Sequence, residues 1–211
     1  MSADPGWDPI VGFGLELRPW ETALARQVAN WGVRGFPYHA FDMAGLRERG
    51  EIARTLLRLR QTASQRHIIA CEGGFAVGRV SVNLEDTAGL YLWSVHVPPE
   101  HEGRAVCRRM LAALMTWMEA NLPNRDFVLI SNSFATHAHR AYEALGFRIT
   151  ETRWQFDRDV SNVLWREPER RGELATHVRF SNGRWETRGY LFRRKPGAPM
   201  VTALPARVTI G

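Results

Sequence analysis

The sequence predicts an α/β (α+β) protein with one mixed sheet, because the hydrophobic period changes along the chain. His67–Cys71, Gly78–Asn83 and Leu90–Val97 follow one another with the patterns of strands. Later segments alternate between helical and strand-like periods, which is typical of helices packed on a sheet. Gly73-Gly74 and Asn182-Gly183 are turn signals that join antiparallel strands.

The segments before these strands predict one strand and two helices. Residues 14–19 alternate apolar and polar side chains, as a first strand does, after a loose lead-in over residues 1–12. Helical spacing of apolar residues predicts helices over residues 21–31 and 44–60, and Gly50 weakens the middle of the second.

The middle of the chain predicts two helix–strand pairs. A helix is indicated over residues 107–120, and residues 127–131 form a continuous apolar run, as a strand buried on both faces does. A second helix over residues 137–145 ends at Gly146, a residue type favoured just after helix ends. Residues 148–156 predict the next strand.

The length of the chain predicts one domain over residues 1–195. This domain carries an insertion at about residues 157–188, which is charged and irregular over residues 157–172. Residues 189–194 predict the last strand. The proline-containing residues 196–211 are expected to form an extended C-terminal tail.

The composition argues against several classes of partner. The formal net charge of +6 comes almost wholly from arginine, since Lys195 is the only lysine. No basic run is interleaved with aromatic side chains, so nucleic-acid binding is not expected. No segment has the apolar length of a membrane span, and the first residues lack a signal-peptide pattern. We therefore expect a cytoplasmic protein without nucleic-acid or membrane partners, and we leave a homodimer open.

Disulfide and metal sites are not predicted either. Cys71 and Cys107 are far apart in the chain, and free thiols are the default for two such residues. Four histidines lie near the later loops, namely His96, His101, His137 and His139. Their spacing matches no common zinc pattern and no cysteine pair accompanies them, so we expect no metal.

The segment from Val95 to Leu111 has the features of a diphosphate site. Pro98 and Pro99 end a strand, and Gly103 lets the backbone approach a ligand. The amides that follow lead into a helix N-terminus, whose unpaired N–H groups and dipole favour an anion. Nearby guanidinium groups add charge, from Arg104, Arg108 and Arg109. On spacing alone, an ordinary strand–helix turn with solvated arginines is an equal alternative.

Two motifs in order resemble the GCN5-related N-acetyltransferase (GNAT) family. Its acetyl-CoA loop is matched at Val97, Pro99, Glu100, Gly103, Arg104, Val106 and Leu111. Its later motif is matched at Ala138, Tyr142, Leu145, Gly146 and Phe147, and its last strand at Tyr190–Phe192. The resemblance covers about residues 14–158 and 189–195.

The resemblance implies a mostly antiparallel sheet, flanked by helices and splayed between its fourth and fifth strands, with acetyl-CoA in the cleft. The backbones of Val95 and Val97 would pair with the pantetheine arm, and the loop amides would hold the diphosphate. The implied cofactor-binding residues are Val95, Val97, Gly103, Arg104, Ala105, Val106, Cys107, Arg108, Asn132 and Ala138. Tyr142 would protonate the leaving thiolate as the catalytic acid. The alternative for Tyr142 is a helix tyrosine packed on the sheet.

The chain departs from the family pattern at several positions. Glu102 places an acid beside the expected phosphates, and Ala105 and Cys107 replace loop glycines. We expect Ala105 to be tolerated inside the helix and Cys107 to point away from the ligand. The family's asparagine is Ala135, for which Asn132 is a possible substitute.

The general base and the acceptor are the least determined features. Trp93 stands where many members carry a glutamate base, so water, His96 or Glu85 would take the proton, or the acceptor would be a weak base such as a hydrazine, a hydroxylamine or an aromatic amine. The expected substrate-binding residues are Tyr38, His39, Trp93 and Trp154. Core packing is an alternative role for each of them.

We expect an acetyl-CoA-dependent N-acetyltransferase that acts on a small-molecule amine by direct transfer, without a metal or an acyl-enzyme. Two alternatives stay open. The chain could be a noncatalytic acyl-CoA-binding or regulatory module, or a protein N-acetyltransferase.

Overall fold

The computed structural model describes residues 8–41, 43–48 and 50–202. Within this part of the chain, one sheet has the order β1-β2-β3-β4-β5-β6-β9-β7, and β8 pairs with β9 outside this path. Neighbouring strands are antiparallel, except that β5 and β6 are parallel. The strands are β1 (Ile10–Gly12), β2 (Leu15–Pro19), β3 (Gln65–Glu72), β4 (Phe75–Asn83), β5 (Leu90–His96), β6 (Phe127–Asn132), β7 (Arg148–Phe156), β8 (Val178–Ser181) and β9 (Arg184–Arg194).

Helices cover the sheet, and α3 fills the centre of one face. The helices are α1 (Thr22–Val28), α2 (Glu51–Arg58), α3 (Val106–Asn121), α4 (Thr136–Ala144) and α5 (Arg158–Arg166). Met110, Leu111 and Leu114 of α3 are buried against strand residues such as Val80 and Leu129. Burial of each such side chain contributes about 1.5–3 kcal/mol, so this cluster anchors the fold. No helix in the described residues is long and apolar enough to cross a membrane.

The parallel pair β5–β6 separates partway along its length, which creates the predicted cleft. Pairing runs only from Leu90 with Phe127 to Leu92 with Leu129, although both strands continue. Ser94 has φ 51° and stands at a register shift between β4 and β5, as in a β-bulge. The bulge inserts one extra residue and redirects the end of β5 along the cleft.

Two sequence predictions for the first half of the chain need correction. Ile10–Gly12 is a strand paired with β2, not part of a loose lead-in; residues 1–7 lie outside the described part. The helix expected over residues 44–60 is instead a 3₁₀ turn at Ala44–Arg47 followed by α2. Gly50 separates the two because it has φ 85°, a left-handed conformation that no helix interior accepts.

The insertion at residues 157–188 is more regular than the sequence analysis expected. Asp157 caps α5, because its side chain accepts hydrogen bonds from the N–H groups of Asp159 and Val160. Val160 and Leu164 of α5 pack in a small core with Leu174 and other side chains. Val160 and Leu164 therefore have the apolar spacing of a helix, but the charged residues around them made the segment look irregular in the sequence.

The predicted hairpin at Asn182-Gly183 is confirmed, and hydrogen bonds hold the first part of the tail against the rest of the domain. Asn182 and Gly183 join β8 to β9 with positive φ at both positions, although β9 begins five residues earlier than predicted. The Val201 N–H donates to the Ala144 carbonyl at 2.7 Å, and the fully buried Arg194 donates to the Ala198 carbonyl at 2.6 Å. Residues 203–211 of the predicted tail lie outside the described part.

Candidate active site

A cavity of about 310 Å³ lies between the end of β5, the loop after it and helix α4. We call it the cofactor cavity. It brings together most of the residues for which the sequence predicted contact with acetyl-CoA. These are Val95, Val97, Gly103, Ala105, Val106, Cys107, Arg108, Ala138 and Tyr142. Residues from two distant motifs therefore line one concave surface.

The loop before α3 and the first turn of that helix present to this cavity backbone N–H groups that have no intrahelical acceptor. In the described residues, Arg109 is the first residue of this segment whose N–H finds a helical acceptor, at 3.0 Å from the Ala105 carbonyl. The preceding amides lack an intrahelical partner, as at any helix start. A Cβ at Gly103 would meet no protein atom within 4 Å, so the backbone there is open to a ligand. These features fit the diphosphate of coenzyme A, which is anionic and needs several donors.

Ala105 is not inside the helix, contrary to the sequence expectation. It is the residue just before α3 and has φ 56° and ψ 17°, which is the left-handed conformation. For a residue with a Cβ this conformation costs roughly 1–2 kcal/mol relative to glycine. The family's preference for glycine in this loop thus has a conformational reason, which Ala105 only partly satisfies.

Replacing Ala105 by valine is expected to destabilise the fold and to weaken acetyl-CoA binding, because a β-branched residue is strained at positive φ. We expect a loss of about 2 kcal/mol in the free energy of unfolding. Ala105→Gly is the matched control, and it should bind acetyl-CoA at least as tightly as the wild type. Urea unfolding and calorimetry measure the two effects. A valine variant with unchanged stability would contradict the left-handed conformation.

The acid at Glu102 is neutralised by a residue that the sequence analysis did not single out. The Arg34 Nε lies 2.9 Å from Glu102 Oε1, and the Arg34 guanidinium also donates to the Val97 carbonyl. The Arg34 side chain is 16% exposed and lines the cofactor cavity. Arg34 therefore offsets the carboxylate that stands beside the expected diphosphate.

Two predicted cofactor-binding residues lie elsewhere. Arg104 follows the left-handed Gly103, and its guanidinium turns away to an ion pair with Glu72. The Asn132 amide donates to Asp157 at 2.9 Å and accepts from the Thr187 hydroxyl at 2.8 Å. Neither side chain lines the cofactor cavity, because each is held by partners of opposite or complementary polarity.

Cys107 lines the cofactor cavity instead of pointing away from it. Burial raises the pKa of its thiol to about 12, so the thiolate, which is the nucleophilic form, is scarce at neutral pH.

Cys107→Ser is therefore expected to retain kcat within about threefold. The measurement is steady-state thiol release, and Cys71→Ser is the matched control. A hundredfold loss in the Cys107 variant alone would point to an acyl-enzyme.

Tyr142 is 5% exposed and projects from α4. Its ring packs edge-on against Phe147 and Phe192, with ring centroids 6.1 and 5.4 Å apart. Burial raises the pKa of its phenol, so the hydroxyl keeps its proton through the neutral range. The side chain is thus packed in the core and also lines the cofactor cavity, so its packing is compatible with a position beside the cofactor.

A second cavity of about 950 Å³ adjoins the first on the side of β4 and α5, and we call it the acceptor cavity. The two cavities share six lining residues: Arg34, Val95, His96, His137, Ala138 and Tyr142. Tyr142 therefore stands where they meet. Such a junction is the place at which a group could pass from a ligand in one cavity to a ligand in the other.

The acceptor cavity contains two of the four predicted substrate-binding residues. Tyr38 and Trp93 line it. His39 does not, because neighbouring side chains of a 3₁₀ turn diverge and its Nε2 pairs with Glu167 Oε1 at 2.7 Å. Trp154 lies on the exposed face of β7, 36% accessible, with the Arg179 guanidinium 4.6 Å from its ring centroid.

The two side chains named from the sequence as possible proton acceptors, His96 and Glu85, are poorly suited to the role. His96 lines both cavities, but burial and the nearby Arg79 charge lower its pKa to about 3. Glu85 lines neither cavity. His137 also lines both cavities, and partial burial lowers its pKa from the ordinary value, so the imidazole is neutral at neutral pH.

In the described residues, no group of three or more His, Cys, Asp or Glu side chains could hold a metal ion.

Comparison with solved structures supports the fold at low sequence identity. RimL, a ribosomal alpha-N-protein acetyltransferase in complex with coenzyme A, is 16% identical with a TM-score of 0.62, covering 91% of this chain and all of its own. A spermidine N-acetyltransferase from Vibrio cholerae, in complex with CoA and spermine, is 14% identical with a TM-score of 0.55, covering 88% of this chain and 97% of its own.

A third similar structure is a GNAT-family acetyltransferase from Streptococcus pneumoniae, which is 14% identical with a TM-score of 0.55 over 87% of this chain and 99% of its own. A search of curated protein sequences found no match. The model of the acetyltransferase (GNAT) family matches residues 25–147, which is more than half of the 211 residues. The chain therefore belongs to the GNAT family and is an acetyl-CoA-dependent N-acyltransferase.

Proposed function

We propose that this chain transfers an acetyl group directly from acetyl-CoA to the amine of a small molecule, with Tyr142 as the general acid. The observation that carries the proposal is the position of Tyr142, which lines both the cofactor cavity and the acceptor cavity. A donor at such a junction lies within reach of a leaving group in one cavity and an attacking group in the other.

We also propose that the protein is located in the cytoplasm.

In this proposal, the loop amides, Tyr142 and His137 have separate roles in the transfer. Bound acetyl-CoA supplies the activated acyl group. The amides of Gly103–Arg108 hold its diphosphate, with charge from Arg108. Tyr142 holds a proton at its hydroxyl and gives it to the departing thiolate, a transfer that contributes typically about 10²–10⁴-fold to the rate. His137 is neutral, lines both cavities and takes the proton of the amine, directly or through water.

The charge of the acceptor cavity argues against a polyamine as the acceptor of this chain. The similar Vibrio cholerae structure is a spermidine N-acetyltransferase with spermine bound. Here the acceptor cavity is lined by four arginines and two aspartates, namely Arg34, Arg58, Arg79, Arg158, Asp157 and Asp159. An excess of guanidinium groups repels a polycation, so we do not propose a polyamine as the acceptor.

A small acceptor is favoured over a protein N-terminus because α5 walls the cavity. Asp157 and Asp159, at the start of that helix, line the cavity, and α5 packs in a core with the adjoining Tyr38 turn. RimL shows that the fold also serves a protein acetyltransferase.

Calorimetry with acetyl-CoA, followed by thiol-release assays over an amine panel, tests the proposal. The panel contains alkyl amines, aromatic amines, hydrazines, hydroxylamines and amines with acidic groups. Binding with turnover of at least one small amine is the expected result. Binding without any turnover would support a noncatalytic acyl-CoA-binding module, and absence of binding would overturn both.

A further inference from the structure

The floor of the acceptor cavity contains an arginine that no residue of the described part neutralises by an ion pair. Arg79 lies on β4, opposite Ile69 of β3 and His96 of β5. Its Nε is buried and, in the described residues, has no hydrogen-bond partner. A buried N–H of a charged group is costly to leave without an acceptor, and a ligand oxyanion could supply that acceptor to Arg79 Nε.

The other charges around Arg79 do not compensate for it. Asp159 favours the Arg79 charge, whereas Arg58, which lines the same cavity, opposes it. Asp157 is engaged, because it caps α5 and accepts from Asn132. Burial and the Arg58 charge lower the pKa of Arg79 to about 10, which still leaves the guanidinium charged at neutral pH.

The neutral groups around the same floor would not replace an anion. His67 donates or accepts at Ser81 Oγ, 2.9 Å away, and burial and the Arg79 charge lower its pKa. Several residues that line the cavity are aromatic, namely Tyr38, Phe41, Tyr91, Trp93 and Phe134. The cavity thus combines aromatic side chains with a half-buried guanidinium whose Nε, in the described residues, has no hydrogen-bond partner.

We propose that the amine acceptor also carries an oxyanion, either a carboxylate or a phosphate, and that Arg79 binds this group on the floor of the cavity. Arg58 adds charge at the cavity wall, and the aromatic side chains contact an apolar body between the amine and the anion. A guanidinium suits both anions, since its planar fork matches their oxygen pairs. The inference rests on the proposed function and specifies its substrate class.

Four probes test the inference: 4-(aminomethyl)benzoic acid, its methyl ester, 4-methylbenzylamine and 4-(aminomethyl)phenylphosphonic acid. Their dissociation constants are measured by calorimetry on protein saturated with coenzyme A, and their acetylation by thiol release with acetyl-CoA. The wild type should bind at least one of the two acids about tenfold or more tightly than the ester or the methyl analogue. Whichever of the two acids binds more tightly identifies the anion of the acceptor as a carboxylate or a phosphate.

Arg79→Gln should remove this preference while leaving the affinity for the methyl ester nearly unchanged. Arg79→Lys keeps the charge and should retain part of the preference. Arg26→Gln, at an exposed position in the last turn of α1, is the control for loss of one positive charge. Circular dichroism and coenzyme A binding verify that each variant is folded.

Equal affinity of the wild type for the acids and the ester would overturn the inference, whether or not the Arg79 variants fold. A preference that survives in folded Arg79→Gln would also overturn it. The proposed function is read separately, from turnover of any amine in the panel. Acid-selective binding without acetylation would therefore contradict the proposed function alone, and acetylation without acid preference would contradict this inference alone.

Discussion

Tyr142→Phe is expected to lower kcat about 100-fold and to leave the dissociation constant of acetyl-CoA nearly unchanged. The substitution removes only the hydroxyl, because the ring is held by Phe147 and Phe192 and stays in place. The thiolate must then leave without a nearby donor, which raises the barrier of the chemical step. Steady-state kinetics with the best amine of the panel, together with calorimetry, measure both quantities.

The control for this substitution is Tyr190→Phe, because Tyr190 lines neither cavity and packs on His139 at 5.4 Å between ring centroids. Burial raises the pKa of Tyr142, so ionisation of this phenol should not reduce the wild-type rate below about pH 10. A Tyr142→Phe enzyme with more than half of the wild-type kcat would show that Tyr142 only packs against the sheet.

Arg34→Ala is expected to weaken acetyl-CoA binding by about tenfold or more, since contacts of charged groups are worth about 1.5–3 kcal/mol. The variant removes a positive charge from the cofactor cavity and leaves the Glu102 carboxylate, 2.9 Å from Arg34 in the wild type, without this neutralising partner. It also removes the donor to the Val97 carbonyl. Calorimetry at two salt concentrations measures the loss, which should shrink at high salt.

The double variant Arg34→Ala with Glu102→Gln separates these contributions. If repulsion between Glu102 and the diphosphate causes most of the loss, the double variant should recover most of the affinity. The Glu102 side chain is 50% exposed, so Glu102→Gln alone should change the affinity little. Unchanged binding in Arg34→Ala would contradict the assignment of Arg34 to the cofactor site.

The sequence predicted those parts of the fold and site that depend on local pattern. The meander of β3, β4 and β5, the helix α3 and the Gly146 end of α4 follow from period and from turn residues. The cofactor loop was proposed only with the help of the family resemblance, because on spacing alone an ordinary strand–helix turn was an equal alternative. The family resemblance then brought Tyr142 to the same cleft.

The parts that the sequence did not predict depend on contacts between distant segments. Arg34 lies in a loop without a motif, and only the fold brings it to Glu102 and Val97. The helix α5 was hidden because charged residues surround its short apolar stripe. Arg79 could not be distinguished from a solvated arginine until the sheet showed which face of β4 it occupies.

A crystal structure with coenzyme A would show whether the loop before α3 binds the diphosphate. We expect the diphosphate oxygens to lie within about 3.2 Å of backbone nitrogens in Gly103–Arg108, with the sulfur next to Tyr142. Density for the diphosphate at any other surface, with the loop amides left to solvent, would contradict it.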